Sequence, residues 1–229
     1  MDDTKYLKEQ IVIACQALGL HGCGSGIGGH VSMRLPGEDA LLINAFDRTL
    51  AEITIDDVLL IDYEGNVLEG NREISVGHEF HPGIYGVRED VNAIVHTHGP
   101  WGTALAGLAR PLKIRANLAC FFHEDQALSP DDSFASIGPA IGNANTIIIP
   151  WHGCITVGTT IGRATALHTT FEDMARLDVL LEPSNVPELP LEWRDHLKEL
   201  VDVKAGYLEQ TWDLMKRKVA TQLDNSSSF

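Results

Sequence analysis

The run Val91-Asn92-Ala93-Ile94-Val95-His96-Thr97-His98-Gly99 constrains this chain more than any other segment. Mostly apolar, β-prone residues lead straight into two histidines at i and i+2. In an extended strand both imidazoles leave one face, with Cα atoms roughly 7 Å apart. A sheet must carry this segment, buried along its length and open to chemistry at its end. A second apolar run, Ile147-Ile148-Ile149-Pro150-Trp151-His152-Gly153, also finishes in His-Gly. Three imidazoles from two strand ends suit one divalent ion with a coordination position left open, the pattern of a catalytic metal and not a structural one. Taken alone, a His-x-His pair is ordinary strand dressing; the second His-Gly argues for a shared site. Zinc is the first expectation, and manganese or iron fit the same donors.

Composition narrows the class of protein. The 229 residues carry 44% hydrophobic and 21% charged side chains, ordinary for one globular enzyme domain. A single domain over 1–221 with a polar tail at 222–229 is expected. The net charge of −15, with Lys216-Arg217-Lys218 as the longest basic run, speaks against a nucleic-acid partner. No apolar stretch approaches the ~20 residues of a membrane-spanning helix, and Met1-Asp2-Asp3-Thr4-Lys5 does not resemble a signal peptide. Cys15, Cys23, Cys120 and Cys154 lack Cys-x-x-Cys spacing and read as free thiols of a cytoplasmic protein.

The periodicity predicts an α/β chain without internal repeats. Leu7, Ile11, Ala14, Cys15 and Leu18 mark a helix over residues 4–18, with Gly19 as its stop. Five glycines between Gly22 and Gly29 precede a strand at Val31–Arg34. Strands follow at Leu41–Asn44 and Val58–Asp62, the latter turning through Glu64-Gly65-Asn66 into Val67–Gly70 as a hairpin. Helices are predicted at His78–Gly86, Thr103–Leu108 and Ser133–Gly142. Strands are predicted at Ile94–His98 and Thr146–Pro150. A long amphipathic helix over Ile161–Leu181 carries its stripe on Ala164, Leu167, Phe171, Met174, Leu177 and Leu181. One final helix is expected from Leu191 to Val219. The glycine cluster runs into a strand and not a helix, so a dinucleotide fingerprint fails its context.

The ordered set Gly29-His30-Val31-Ser32-Met33-Arg34, Ile43-Asn44, Glu52-Ile53-Thr54, Asp62–Gly70, His81-Pro82-Gly83-Ile84-Tyr85, Asp90–His98, Trp151-His152-Gly153, Val157-Gly158 and Phe171–Arg176 resembles the class II aldolase/adducin-head family. That family includes sugar-phosphate aldolases, epimerases and decarboxylases. The resemblance covers residues 11 to 181. It implies a single α/β domain with a central, mostly antiparallel sheet flanked by helices on both faces. It also implies a homo-oligomer, commonly a tetramer, with active sites between subunits, and His96, His98 and His152 as metal ligands.

Departures from the family pattern bear on substrate. Sugar-phosphate members carry an acid four positions before the histidine matching His81, where this chain has Gly77. Glu79 is the nearest carboxylate; it replaces the acid if the helix starts late, and otherwise is a surface or interface residue. Ile27, His30, Asp47 and Ser75-Val76 stand at the positions matching the phosphate site. Ile27 lacks a hydroxyl and Asp47 would repel a dianion, which favours a small carboxylate substrate over a phosphate. Gly29 and its neighbouring glycines can still offer backbone N–H groups to an anion. Arg48 is either a bidentate carboxylate clamp or the partner of Asp47. His30 is either a proton-exchanging substrate contact or a loop histidine. His123, among Phe121, Phe122, Glu124 and Asp125, either lines the pocket or serves packing. His81 reads as packing at the base of its helix.

These features favour a metal-dependent carbon–carbon lyase. A metal chelating substrate oxygens stabilises the enolate or phenolate left by either C–C cleavage. Retro-aldol cleavage needs a base for the substrate hydroxyl, whereas decarboxylation needs only a later proton donor. Loss of the acid at Gly77 therefore favours decarboxylation of a hydroxy- or oxo-carboxylate, with an aromatic one suggested by Phe46, Phe80, Trp101, Phe121, Phe122 and Trp151. The rivals are an aldolase for an unphosphorylated hydroxy-keto acid, with Glu79 as base, and a non-catalytic adducin-like interaction module.

Overall fold

The computed structural model describes residues 3–24 and 26–226. Eight strands form one sheet: β1 His30–Arg34, β2 Ala40–Asn44, β3 Val58–Asp62, β4 Val67–Glu69, β5 Ala93–Thr97, β6 Ala127–Leu128, β7 Thr146–Ile149 and β8 Gly153–Gly158. Their order across the sheet is β4-β3-β2-β1-β5-β8-β7-β6. Every pairing is antiparallel except β6 with β7. Seven α-helices accompany them: α1 Asp3–His21, α2 Phe80–Val87, α3 Pro100–Gly107, α4 Phe134–Ile141, α5 Ile161–Leu181, α6 Leu191–Glu199 and α7 Tyr207–Ser226.

Strand alternation sorts the core into two layers. Leu41 and Ile43 of β2, Ile94 of β5, Ile147 and Ile149 of β7, and Ile155 and Val157 of β8 face α2 and α4 through Phe80, Ile84, Tyr85, Ile137 and Ile141. The intervening Val31, Leu42, Ala93 and Val95 face α1 through Ile11, Ala14 and Leu18. Ile148 and Cys154 meet α3 and α5 on that same second face. Strands covered on both sides need apolar residues at successive positions, which is why β2, β5 and β7 read as continuous hydrophobic runs. The alternation also fixes where chemistry can occur. His30 and Ser32 of β1, and His96 of β5, lie on the α2 face.

Several boundaries differ from expectation. Gly19 does not end α1; it lies where a Cβ would stand 2.8 Å from Ala51, so it permits close packing, and the helix stops at Gly22 with φ +86°. The helix expected over Leu191–Val219 is two helices. A π-helical turn at Leu200–Lys204 and Gly206, with φ +57°, separate α6 from α7. Helix α7 then runs to Ser226, so residues 222–226 of the expected tail are helical, and 227–229 lie outside the described residues. Strands β6 and β8 were not anticipated. The stripe on α5 is present, but Thr165, His168 and Glu172 opposite it are buried too, because α1, α3 and α7 all pack on this helix. The four cysteines are buried and unpaired. Among the described residues, no helix is long and apolar enough to cross a membrane.

Candidate metal centre

Sheet register assembles the three histidines. His96 and the equally buried Thr97 end β5, and His98 follows on the same face as His96. Because Thr97 pairs with Cys154, the turn joining β7 to β8 lies beside His98 and Gly99. His152 sits in that turn and not at a strand end. The turn is tight, with Ile149 paired to Gly153, the His152 N–H donating to Ile149 O, and Trp151 held at φ +61°. Gly153 explains the recurring His-Gly signal. A Cβ there would stand 2.8 Å from Thr97 O and 3.5 Å from the rings of both His96 and His98.

Three Nε2 atoms converge. His98 Nε2 lies 3.1 Å from His96 Nε2 and 2.8 Å from His152 Nε2, and these are the residues that form a metal-capable cluster among those described. Donors each ~2.1 Å from one tetrahedral ion stand roughly 3.4 Å apart. The far ring nitrogens are already committed. His96 Nδ1–H donates to Cys154 O at 2.9 Å, and His152 Nδ1–H donates to Asp132 Oδ1. Both contacts leave the Nε2 lone pair free for a metal. Burial first, then the neighbouring His30 and His98 rings, push the His96 pKa far down; burial and then His152 lower that of His98. Neutral imidazoles are the form that binds metal. The donor set therefore fits a divalent ion. His96 is buried, His152 half-buried and His98 exposed, so the centre opens to the surface on the His98 side.

The backbone around His98 is held from behind. Glu172 of α5 accepts hydrogen bonds from Trp101 N and Gly102 N, each at 2.7 Å, and so caps the start of α3. Thr97 Oγ1 takes the Gly99 N–H at 3.2 Å and meets His168 Nε2 at 2.7 Å. On the other side, Gly28 with φ +106° lies against the His98 ring, where a Cβ would be 3.3 Å from Cε1. The glycine loop thus borders the centre with its backbone. Gly29 is buried beneath Leu50, and Asn44 Nδ2 donates to its carbonyl.

His30 pairs with His96 in register, its ring 4.8 Å away. Its Nε2 points at Gly77, where a Cβ would be only 2.9 Å distant. Imidazole therefore fills the space that a side chain at position 77 would enter. Glu79 ends the 3-10 turn Val76–Glu79 and is exposed, on a different face from buried Gly77. The α-helix does begin late, at Phe80, yet Glu79 stays outside the histidine cluster. Arg48 turns to Asp57, 3.7 Å away, while Asp47 takes Arg72 at 3.1 Å. His123 is buried against α6, its Nε2 3.7 Å from Asp195, and is not brought to the three ligands.

Sequence reading missed Asp132, Glu172 and a buried path from His30 to His81, Ser32 and Tyr85. His81 does more than pack: its Nε2 meets His30 Nδ1 at 2.7 Å and its Nδ1 meets Ser32 Oγ at 2.6 Å. The signal was available, since His30 and Ser32 are i, i+2 on a strand while His81 and Tyr85 are i, i+4 on a helix. Asp132 had none, because its contact spans 20 residues that include helix α4 and strand β7.

The fold and this centre define a class. The model of the class II aldolase and adducin N-terminal domain matches residues 9–179, and the chain belongs to that family. It is 29% identical over 199 residues to the 5-methylthioribulose-1-phosphate/5-deoxyribulose-1-phosphate aldolase of Rhodospirillum rubrum, covering 79% of this chain and 86% of that protein. It is 26% identical over 226 residues to the 3,4-dihydroxyphthalate decarboxylase of Arthrobacter keyseri, covering 89% and 90%. Among solved structures, L-fuculose 1-phosphate aldolase from Glaciozyma antarctica superimposes with a TM-score of 0.88 at 27% identity, over 96% of this chain and 91% of that one.

Proposed function

We propose that this protein is a metal-dependent carboxy-lyase acting on a hydroxy- or oxo-carboxylate. One observation carries the choice within the family: His30 imidazole occupies the space of a side chain at Gly77. A neutral ring in an apolar setting, against Phe80 and His96, is a hydrogen-bond donor and not a strong base. Retro-aldol cleavage requires removal of a hydroxyl proton, whereas decarboxylation requires a proton for the carbon that CO₂ leaves.

His96, His98 and His152 would hold the ion, which when bound supplies a Lewis acid for substrate oxygens. His96 and His152 are kept in the metal-binding tautomer by Cys154 O and Asp132. The glycine loop at Gly28 and Gly29 walls the His98 side and offers backbone amides to a substrate carboxylate. His30 Nε2 faces Gly77, where a neutral N–H would donate a hydrogen bond to the substrate oxygen that gains charge as CO₂ leaves; the proton for the vacated carbon is drawn from solvent. With Asp47 tied to Arg72 and Arg48 facing Asp57, no strongly cationic phosphate cradle is added by this loop. The substrate is therefore read as a carboxylate and not a sugar phosphate. Glu79, exposed on the other face of its turn, is assigned no proton transfer; neither Arg48 nor His123 is assigned a substrate contact.

Exposed Ile27, Val76 and Trp151 each neighbour a residue of the centre. Such an apolar rim suits an aromatic substrate or a second copy of the chain closing the site, in keeping with an oligomer whose sites lie between subunits. The three oriented ligands argue against a non-catalytic module. The aldolase relatives at similar identity keep retro-aldol cleavage of an unphosphorylated hydroxy-keto acid as the second reading. Incubating zinc- and manganese-loaded protein with a panel of aromatic and aliphatic hydroxy- and oxo-carboxylates separates the two. CO₂ release that is lost in His30→Gln is the expected result. Aldehyde release, or turnover that depends on a phosphate group, would overturn the proposal.

A further inference from the structure

Behind His30 lies a chain of polar groups that the metal centre itself does not require. His30 Nδ1 meets His81 Nε2 at 2.7 Å, His81 Nδ1 meets Ser32 Oγ at 2.6 Å, and Ser32 Oγ meets the Tyr85 hydroxyl at 2.8 Å. All four side chains are nearly or wholly buried: His30 is 3% exposed, His81 and Ser32 0%, and Tyr85 2%. Phe80 stacks on His81 at 4.5 Å and covers His30 at 5.0 Å, so water is kept from both rings.

Each contact holds a single hydrogen, so a continuous chain runs in one of two directions; the broken arrangement, in which Ser32 accepts from both His81 and Tyr85, leaves the Ser32 hydrogen without an acceptor among the described residues. In one, Tyr85 donates to Ser32, Ser32 to His81 Nδ1, and His81 Nε2–H to His30 Nδ1. His30 then carries its own hydrogen on Nε2, facing Gly77. In the other, every bond reverses, His30 holds its hydrogen on Nδ1, and the chain ends on the Tyr85 hydroxyl with no acceptor for its hydrogen. Among the described residues, that hydroxyl meets Ser32 Oγ and the backbone N–H of Arg34, which is a donor, and the Arg34 guanidinium 4.8 Å over the ring is a cation that accepts nothing. A buried hydroxyl hydrogen without an acceptor is costly, whereas unused lone pairs on a phenol oxygen are cheap. Burial also pushes the Tyr85 hydroxyl pKa up and the His81 pKa far down, so phenol and imidazole both stay neutral.

We infer that Tyr85, Ser32 and His81 form a one-way hydrogen-bond chain that holds His30 as its Nε2–H tautomer, with that N–H facing Gly77. They are positioning residues, not catalytic ones. The consequence for turnover rests on the reading of His30 as a hydrogen-bond donor to the substrate, but the tautomer can be read without substrate.

The test uses the full chain, zinc-loaded and labelled with ¹⁵N-histidine, in long-range ¹H–¹⁵N correlation spectra. The His30 signals are assigned by their loss in His30→Gln. The proton is expected on Nε2. Ser32→Ala removes the donor that sets His81, and His30 should shift from one tautomer to a mixture while the circular dichroism spectrum is retained. Should Ser32→Ala fail to fold, a second pair reads the same device. His81→Gln places an amide N–H against His30 Nδ1 and should keep the Nε2–H tautomer; His81→Glu places an acceptor there and should move the proton to Nδ1. A wild-type proton on Nδ1 would overturn the inference, as would a His30 tautomer indifferent to all three variants. Protein with the Nε2–H tautomer that releases aldehyde instead of CO₂ would leave the chain standing and sink the carboxy-lyase reading alone.

Discussion

Asp132 and Trp151 decide how His152 meets a metal. Asp132 is an exposed loop residue, yet among the described residues its carboxylate is what meets His152 Nδ1, on the side of the ring away from His98. Trp151 is 76% exposed at φ +61°, a left-handed conformation that costs a bulky residue on the order of 1–3 kcal/mol. The hairpin that holds it closes at Ile149 and Gly153, and within it His152 Nε2 lies 2.8 Å from His98 Nε2. Removing a partner of a metal-binding histidine typically lowers affinity ~10–100-fold. Asp132→Ala should therefore weaken zinc binding by about that factor in competition with a chromogenic chelator, and Asp132→Asn, which keeps an acceptor oxygen, should weaken it less. Equal affinity in all three proteins would return Asp132 to the solvent.

Helix α3 is the element that anchors the exposed ligand. It begins two residues after His98, and its first N–H groups are taken by Glu172 of α5, the helix packed beside it on the same face of the sheet. The glycines at 99 and 102 make room for that carboxylate: a Cβ would meet its oxygens at 2.6 and 2.9 Å. Glu172→Ala strips two buried N–H groups of their acceptor and should cost about 2–3 kcal/mol, seen as a lower urea midpoint with an unchanged slope. Metal affinity should fall as well, since His98 loses its footing, and Glu172→Gln should lie between. A wild-type urea midpoint in Glu172→Ala would show that α3 is capped by other means. This level of organisation was partly legible in the sequence. The strands β2, β5 and β7 and the helix α5 announced themselves by period and burial. Strand β8, Gly153-Cys154-Ile155-Thr156-Val157-Gly158, did not, because glycines at both ends and a threonine within mask a short strand. The break between α6 and α7 hid in a single glycine, and the cap on α3 joins residues about 70 apart that no local pattern links.

Across the molecule, buried neutral histidines make stability a function of pH. His168, between Thr97 and Thr156, has its pKa lowered by burial to about 3, and burial pushes His30, His81 and His96 far down too. The unfolded chain binds protons at these sites near pH 6.5 and the folded chain does not, so their contribution is complete above about 6.5 and declines as pH falls. Each such residue adds up to about 1.4 kcal/mol per pH unit. Metal-free protein should lose several kcal/mol of unfolding free energy between about pH 6.5 and 5, with proton uptake on unfolding detectable by the buffer dependence of calorimetric enthalpy. Flat stability across that range would mean that the buried rings are protonated in the fold. The family and its ligand triad were readable in order along the chain, because the ligands sit in apolar runs and beside glycines. What surrounds them was not, since the Asp132, Glu172 and Tyr85 contacts arise only when distant segments close on one another.

The ligand rings hang from backbone that the sheet already holds. His96 is hydrogen-bonded into β5 between β1 and β8, and His152 is gripped by a hairpin closed at Ile149 and Gly153. Nothing in those pairings waits for an ion, unlike small domains that are unfolded until zinc arrives. An ion can therefore depart and another enter with no rebuilding of the chain, and three imidazoles rank the common candidates by availability as much as by preference. The metal that a given preparation carries should therefore follow its growth medium and purification buffer, and stripping and reloading is expected to yield proteins that differ in a single atom.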